Sequence, residues 1–161
     1  MLNKKQIFIN SECQQMVCYE HDEVAYTYTI STGKNGLGEQ QGSECTPRGL
    51  HQIHSIIGAQ HDINSVFVAR EWTGELYSAE LAEQFPGRDW ILTRILRLEG
   101  LEGGRNQGGD VDTLERFIYI HGTPDTTVLG VPGSRGCIRI SNQDIIALAE
   151  WVHVGTQVLI K

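Results

Sequence analysis

Val24, Tyr26, Tyr28 and Ile30 alternate with Ala25, Thr27 and Thr29. A period of two in aromatic and β-branched residues marks a strand with one face against a core. Short runs of the same kind recur at Ile7-Phe8-Ile9, Met16 to Tyr19, Leu50 to Ile57, Ser65 to Arg70 and Val158-Leu159-Ile160. Arg116 to Ile120, through Tyr119, reads as a strand that delivers His121 at its end. Two stretches suit helices. Ser78 to Gln84 precedes Phe85-Pro86-Gly87. Ser141 to about Trp151 opens with a capping serine and with Asp144 near the positive helix end. Gly33 to Gly38 reads as a flexible turn, and Gly100 to Asp112, with five glycines, as a mobile loop. Trp90 to Leu98 fits a strand or a buried helix, and periodicity leaves both open. The pattern predicts a mainly β domain with one or two packed helices, a single unit over residues 1–161.

A composition of 40% hydrophobic and 20% charged residues is ordinary for a soluble domain. The formal net charge of −7 argues against nucleic acid or an anionic membrane as partner. Met1 to Lys5 is basic, but neither a signal-type apolar stretch nor a run of about 18 apolar residues follows. Taken as the native start, this predicts a cytoplasmic protein. Cys13, Cys18 and Cys45 are expected to be small buried or half-buried residues. No His, Cys and carboxylate grouping has ligand spacing, so no metal is expected. Gly33 to Gly38 lacks the ending of a phosphate loop, so no nucleotide is expected.

The chemistry gathers near the C-terminal end. His121-Gly122 is followed by Ser134-Arg135-Gly136-Cys137-Ile138-Arg139. Imidazole and thiol are 137 − 121 = 16 positions apart, with Thr123-Pro124-Asp125 and Gly130-Val131-Pro132-Gly133 between them. Such a segment folds back easily and can bring base and nucleophile together. An ordinary thiol, with a pKa of about 8.5, is only a few per cent ionised at neutral pH, and a neighbouring imidazolium would raise that fraction. Backbone N–H groups around Gly136 and Cys137 are natural donors to an oxyanion. In an extended segment Arg139 shares a face with Cys137. Arg139 either stabilises the thiolate and holds a substrate carboxylate or forms a structural salt bridge. Ser134 hydrogen-bonds within its loop or to substrate. His51 and His54, three apart, fall on opposite faces of a strand, and His51 is a candidate cleft residue.

These residues resemble the signature of the L,D-transpeptidase (YkuD-like) family: His-Gly, a loop, then Ser-His-Gly-Cys-(Ile/Val)-Arg. The chain matches at His121, Gly122, Ser134, Gly136, Cys137, Ile138 and Arg139, and has Arg135 where the family usually has histidine. Ser31-Thr32-Gly33 and Thr46-Pro47-Arg48-Gly49 resemble two further family blocks. The resemblance implies a β-sandwich or barrel with one or two packed helices, and favours a strand over Trp90 to Leu98. It implies Cys137 as nucleophile and His121 as base. It also implies that the Gly122 carbonyl orients the ring, with Gly136 beside the nucleophile. Arg139, Arg135, Ser134 and Tyr119 are the expected substrate contacts.

The implied substrate is a peptidoglycan stem peptide, attacked at the L-centre of its third residue with loss of D-alanine and formation of a thioester. Without an export signal, water and recycled muropeptide tetrapeptides are the expected reactants. The resemblance therefore implies the activity of an L,D-carboxypeptidase, needing no cofactor and open to covalent inhibition by carbapenems. A cross-linking L,D-transpeptidase and a silent peptidoglycan-fragment binding module are the alternatives.

Overall fold

The computed structural model describes residues 4–161, and Met1-Leu2-Asn3 of the basic start lie outside the described residues. The strands are β1 (Lys5–Asn10), β2 (Gln15–Glu20), β3 (Glu23–Ser31), β4 (Gly49–Ile57), β5 (Ser65–Val68), β6 (Glu71–Leu76), β7 (Ile91–Gly100), β8 (Tyr119–Thr123), β9 (Ile138–Ser141) and β10 (Gln157–Ile160). The helices are α1 (Ala79–Gln84) and α2 (Asn142–Trp151). The order β4-β10-β1-β2-β3-β9-β8-β7 closes on itself because β4 also pairs with β7. The result is a barrel, with β5 and β6 attached to β7 as a side hairpin. β1–β10 and β8–β9 are parallel pairs. Among the described residues no helix is long and apolar enough to cross a membrane.

Alternation builds the interior. Ile7, Ile9, Met16, Cys18, Ile30, Ile53, Ile120, Ile138, Ile140 and Val158 point into one buried cluster. Ile145, Leu148 and Trp151 of α2 join that cluster, so the helix packs on β7, β8 and β9 with its apolar face inward. Ser141 caps it, accepting the Asp144 N–H. A second, smaller cluster of Phe67, Ile95 and Tyr119 lies on the other face of β7 and β8, with Cys137 packed against it.

Several expectations are corrected. The strand before His121 begins at Tyr119, not Arg116, because Phe117 takes a left-handed φ of 57° that no strand tolerates. His121 is therefore mid-strand. In β3 only Tyr28 and Ile30 of the alternating set are buried; Val24 and Tyr26 are exposed. Cys13 is exposed, on the turn between β1 and β2. Gly100 to Asp112 is pinned rather than loose. Asn106, fully buried, donates to the carbonyls of Arg48 and Leu50, and Glu102 accepts the Leu50 N–H. His51 does not line a cleft. It is buried between the Gly49 carbonyl (3.0 Å) and the Thr113 hydroxyl (2.9 Å).

Candidate active site

Two hydrogen-bonded sets bring the separated sequence blocks together. The parallel ladder sets His121 beside Arg139 and Ile120 beside Ile138. Cys137 lies in the bend just before β9 and packs against the cluster of Tyr119 and Ile95, on the face of β8 that also carries His121. The second set holds the loop before Cys137. The Thr32 carbonyl accepts the N–H groups of Gly133 and Ser134, and Lys34 N–H donates to the Ser134 carbonyl. Thr46 Oγ1 accepts Gly33 N–H and donates to the Gly136 carbonyl, both at 2.8 Å. The Ser-Thr-Gly and Thr-Pro blocks are thus the mould of the nucleophile loop. Gly136 is required there. Its φ is +122°, and a Cβ would come within 3.0 Å of the Cys45 carbonyl oxygen.

The thiol of Cys137 sits in a backbone clamp. Tyr119 N–H donates to Sγ at 3.3 Å, and the S–H points to the Phe117 carbonyl at 3.5 Å. The residue as a whole is half-buried, with the sulfur on its inner side against the clamp. His121 is buried, with Nδ1 2.7 Å from the Gly122 carbonyl. A carbonyl only accepts, so Nδ1 carries the hydrogen and Nε2 carries the free lone pair of a base. Gly122 permits this: a Cβ there would lie 2.5 Å from both Asn142 Oδ1 and the Leu92 carbonyl.

Charge in the site differs from the expected thiolate–imidazolium pair. Burial pushes the Cys137 thiol up to about 12, against smaller opposing effects from Tyr119 N–H, Arg139 and Arg116. Burial also lowers the pKa of His121, partly opposed by its bond to Gly122. Both groups rest neutral, because losing water costs each charged form more than its neighbours return.

The other expected residues divide. Arg139 has the structural salt bridge: it donates to Asp89 Oδ1 at 3.2 Å and to the Gly133 carbonyl at 3.0 Å. Asp89 opposes its pull on the thiol. Ser134 is buried and serves the loop, accepting Gly136 N–H at 3.1 Å and donating to the Cys137 carbonyl. The Gly136 N–H is therefore engaged. Tyr119 is buried rather than open to a ligand, and its hydroxyl accepts from Arg70. Arg135 is exposed and borders two clefts. The larger, about 380 Å³, is also lined by Lys34, Glu44, Asp89, Thr123 and Arg139. The smaller, about 250 Å³, is lined by Glu44, Glu115, Arg116 and Phe117.

Sequence reasoning missed Arg116, whose guanidinium ties down the carbonyls of Gly38, Glu39 and Cys45, and also missed Asp89 and Arg70. Only Thr46 had a signal, its place in the Thr-Pro block.

Barrel, pinned glycine loop and a cysteine that packs beside the strand carrying the histidine define a cysteine–histidine β-barrel domain. The family model of the L,D-transpeptidase catalytic domain (YkuD) matches residues 4–160, and the chain belongs to that family. Membership supports an enzyme with Cys–His catalysis. The putative L,D-transpeptidase YkuD of Bacillus subtilis is 43% identical over 61 residues, 35% of this chain and 37% of that protein. The match thus spans little more than a third of that relative. The fold is similar to that of an L,D-transpeptidase from Mycobacterium smegmatis (TM-score 0.62, 17% identity, 99% of this chain and 59% of that one). It is also similar to L,D-transpeptidase 3 from Mycobacterium tuberculosis, in complex with a faropenem-derived adduct (TM-score 0.58, 16% identity, 99% and 60%).

Proposed function

We propose that this chain is a cysteine-dependent acyl-transfer enzyme acting on peptidoglycan stem peptides. We infer that water is its acceptor, which makes it an L,D-carboxypeptidase that trims D-alanine from recycled muropeptide tetrapeptides in the cytoplasm. One observation carries the reading: a thiol held by backbone groups packs on the β8 face that carries an imidazole whose lone pair is fixed on Nε2.

In the proposed reaction Nε2 of His121 takes the thiol proton as the sulfur adds to the carbonyl carbon of the third residue. The neutral pair thereby becomes an ion pair during attack rather than before it. The oxyanion is assigned to the Cys137 N–H, since Gly136 N–H is held by Ser134. Collapse expels D-alanine, whose nitrogen receives the proton from His121, and leaves a thioester. Water then gives its proton to Nε2 and its oxygen to the acyl carbon. The C–S bond breaks, and the proton returns to sulfur.

The larger cleft supports an anionic peptide: with Arg139 paired to Asp89 and Arg88 to Glu75, Lys34 and Arg135 face Glu44 on its walls. That excess repels an ammonium acceptor, whereas water needs no subsite. L,D-transpeptidation, with an amine in place of water, is the second reading; the smaller cleft, where Glu44 and Glu115 face Arg116 and Arg135, carries no net charge toward either acceptor. Carbapenems are expected to acylate Cys137.

Purified protein is incubated with a muropeptide tetrapeptide, with and without a second stem peptide, and read by mass spectrometry. Tripeptide in both cases is expected. Cross-linked product selects the second reading, and absence of both, or equal product from Cys137→Ala, rejects the proposal. Cell fractionation tests the location.

A further inference from the structure

We propose that Arg70 is a positioning residue for Cys137, acting through Phe117 and Tyr119. The proposal rests on the reading of Cys137 as nucleophile. The sulfur has two backbone partners, the Phe117 carbonyl and the Tyr119 N–H. Arg70 touches the side chains of both those residues. Its Nη1 donates to the Tyr119 hydroxyl at 2.9 Å, and its guanidinium lies 4.4 Å from the centre of the Phe117 ring. One side chain from a different part of the chain therefore braces both halves of the clamp.

The backbone on each side of this contact is left-handed. Arg70 and Ala69 form the two-residue turn between β5 and β6, with φ of 66° and 49°. Phe117 has φ of 57°. The paired angles of Ala69 and Arg70 suit their hairpin, whereas Phe117 lies outside any hairpin and holds its angle where surrounding contacts impose it. Phe117 is 47% exposed, so its own burial holds it poorly. Cation–ring contact and the Tyr119 hydrogen bond supply the missing restraint.

Arg70 works by geometry rather than by its field. The cations that act electrically on the thiol are Arg139 and Arg116. Among the described residues Arg70 is in no ion pair with a carboxylate. Its aromatic partners are the ones that fix where the sulfur sits. Loosening them lets Sγ leave the line of attack and lets water reach it.

The test is alkylation of Cys137 by iodoacetamide as a function of pH, read on the Cys137 peptide by mass spectrometry. It needs no substrate, so it stands even if the tetrapeptide is not cleaved. Wild type, Arg70→Ala, Arg70→Lys, Tyr119→Phe and the Arg70→Ala/Tyr119→Phe double variant are compared, with near-ultraviolet circular dichroism as the check on folding. In Arg70→Ala the midpoint is expected to fall by about half a pH unit or more, since a solvated thiolate is favoured over a buried one. Arg70→Lys should stay closer to wild type. Tyr119→Phe should shift the midpoint when Arg70 is present and add nothing when it is absent. If tripeptide release is observed, Arg70→Ala should lower kcat roughly tenfold and change KM by less than about threefold. An unmoved midpoint in Arg70→Ala overturns the proposal. So does a Tyr119→Phe effect of equal size with and without Arg70. Should Arg70→Ala not fold, Arg70→Lys and Tyr119→Phe decide alone, and wild-type midpoints in both overturn it.

Discussion

At the scale of single residues, the resting site is a neutral thiol and a neutral imidazole. Burial pushes the Cys137 thiol up to about 12, and it holds the imidazole below its ordinary range. In the free protein, alkylation of Cys137 should therefore be slow at pH 7 and rise only well above pH 8.5, the ordinary thiol value. A rate already at its plateau by pH 7 would show a preformed thiolate and contradict this account. The loop before the thiol is equally specific. Thr46 Oγ1 joins the buried Gly33 N–H to the Gly136 carbonyl. Thr46→Val keeps the shape and leaves both groups unpaired, at a cost of about 1–3 kcal/mol for each buried polar group. Urea unfolding should show that loss, while Thr46→Ser, which keeps the oxygen, should recover most of it. Alkylation of Cys137 should change with the same ordering, because the loop carries that residue.

At the scale of elements, two hairpins turn through two left-handed residues without glycine. His21-Asp22 joins β2 to β3, and Ala69-Arg70 joins β5 to β6. Paired positive φ angles fit the twist of such hairpins, but alanine tolerates them poorly. Ala69→Asn keeps Arg70 in place and suits the same backbone, so it should stabilise the protein by up to about 1 kcal/mol. Thermal unfolding measures it, and a lowered midpoint would contradict the turn assignment. The hairpin also marks how far the sequence could be read. β1, β2 and β10 were legible because alternate residues meet one core. α2 was legible because Ser141 caps an apolar stripe. β6 was not, since its surface is largely solvated and supplies no alternation. The run Phe117-Ile118-Tyr119 looks extended, yet a left-handed phenylalanine breaks it, and no side-chain chemistry announces such an angle. Cys137 and His121 stood out because glycines flank both. Their supports Arg70, Asp89 and Arg116 come from distant segments and have no local signature.

At the scale of the whole molecule, stability depends on histidines that fold in their neutral form. His51 joins β4 to the segment at Thr113, and burial lowers its pKa to about 4 against weaker opposing effects of Gly49 and Glu102. A folded pKa below the unfolded value of 6.5 means that the unfolded chain takes up a proton the folded protein refuses. The stability is complete above pH 6.5 and is lost as the pH falls from there toward 4. From pH 7 to pH 5 the His51 share is about 2 kcal/mol. His121 acts with the same sign, and for the same cause, beside the thiol. Burial alone would raise the pKa of Glu39, but its hydrogen bonds and charge contact with Arg48 together lower it, so its loss comes further down, within the carboxylate range. The window between pH 7 and pH 5 therefore isolates the histidines. Urea unfolding across that window should show falling stability in the wild type and a shallower fall in His51→Gln, although that variant starts lower at pH 7. An identical slope in the two proteins would mean that His51 accepts a proton in the folded state. The anchored segment from Gly100 to Thr113 would then have to open in weak acid while the rest of the barrel stayed closed.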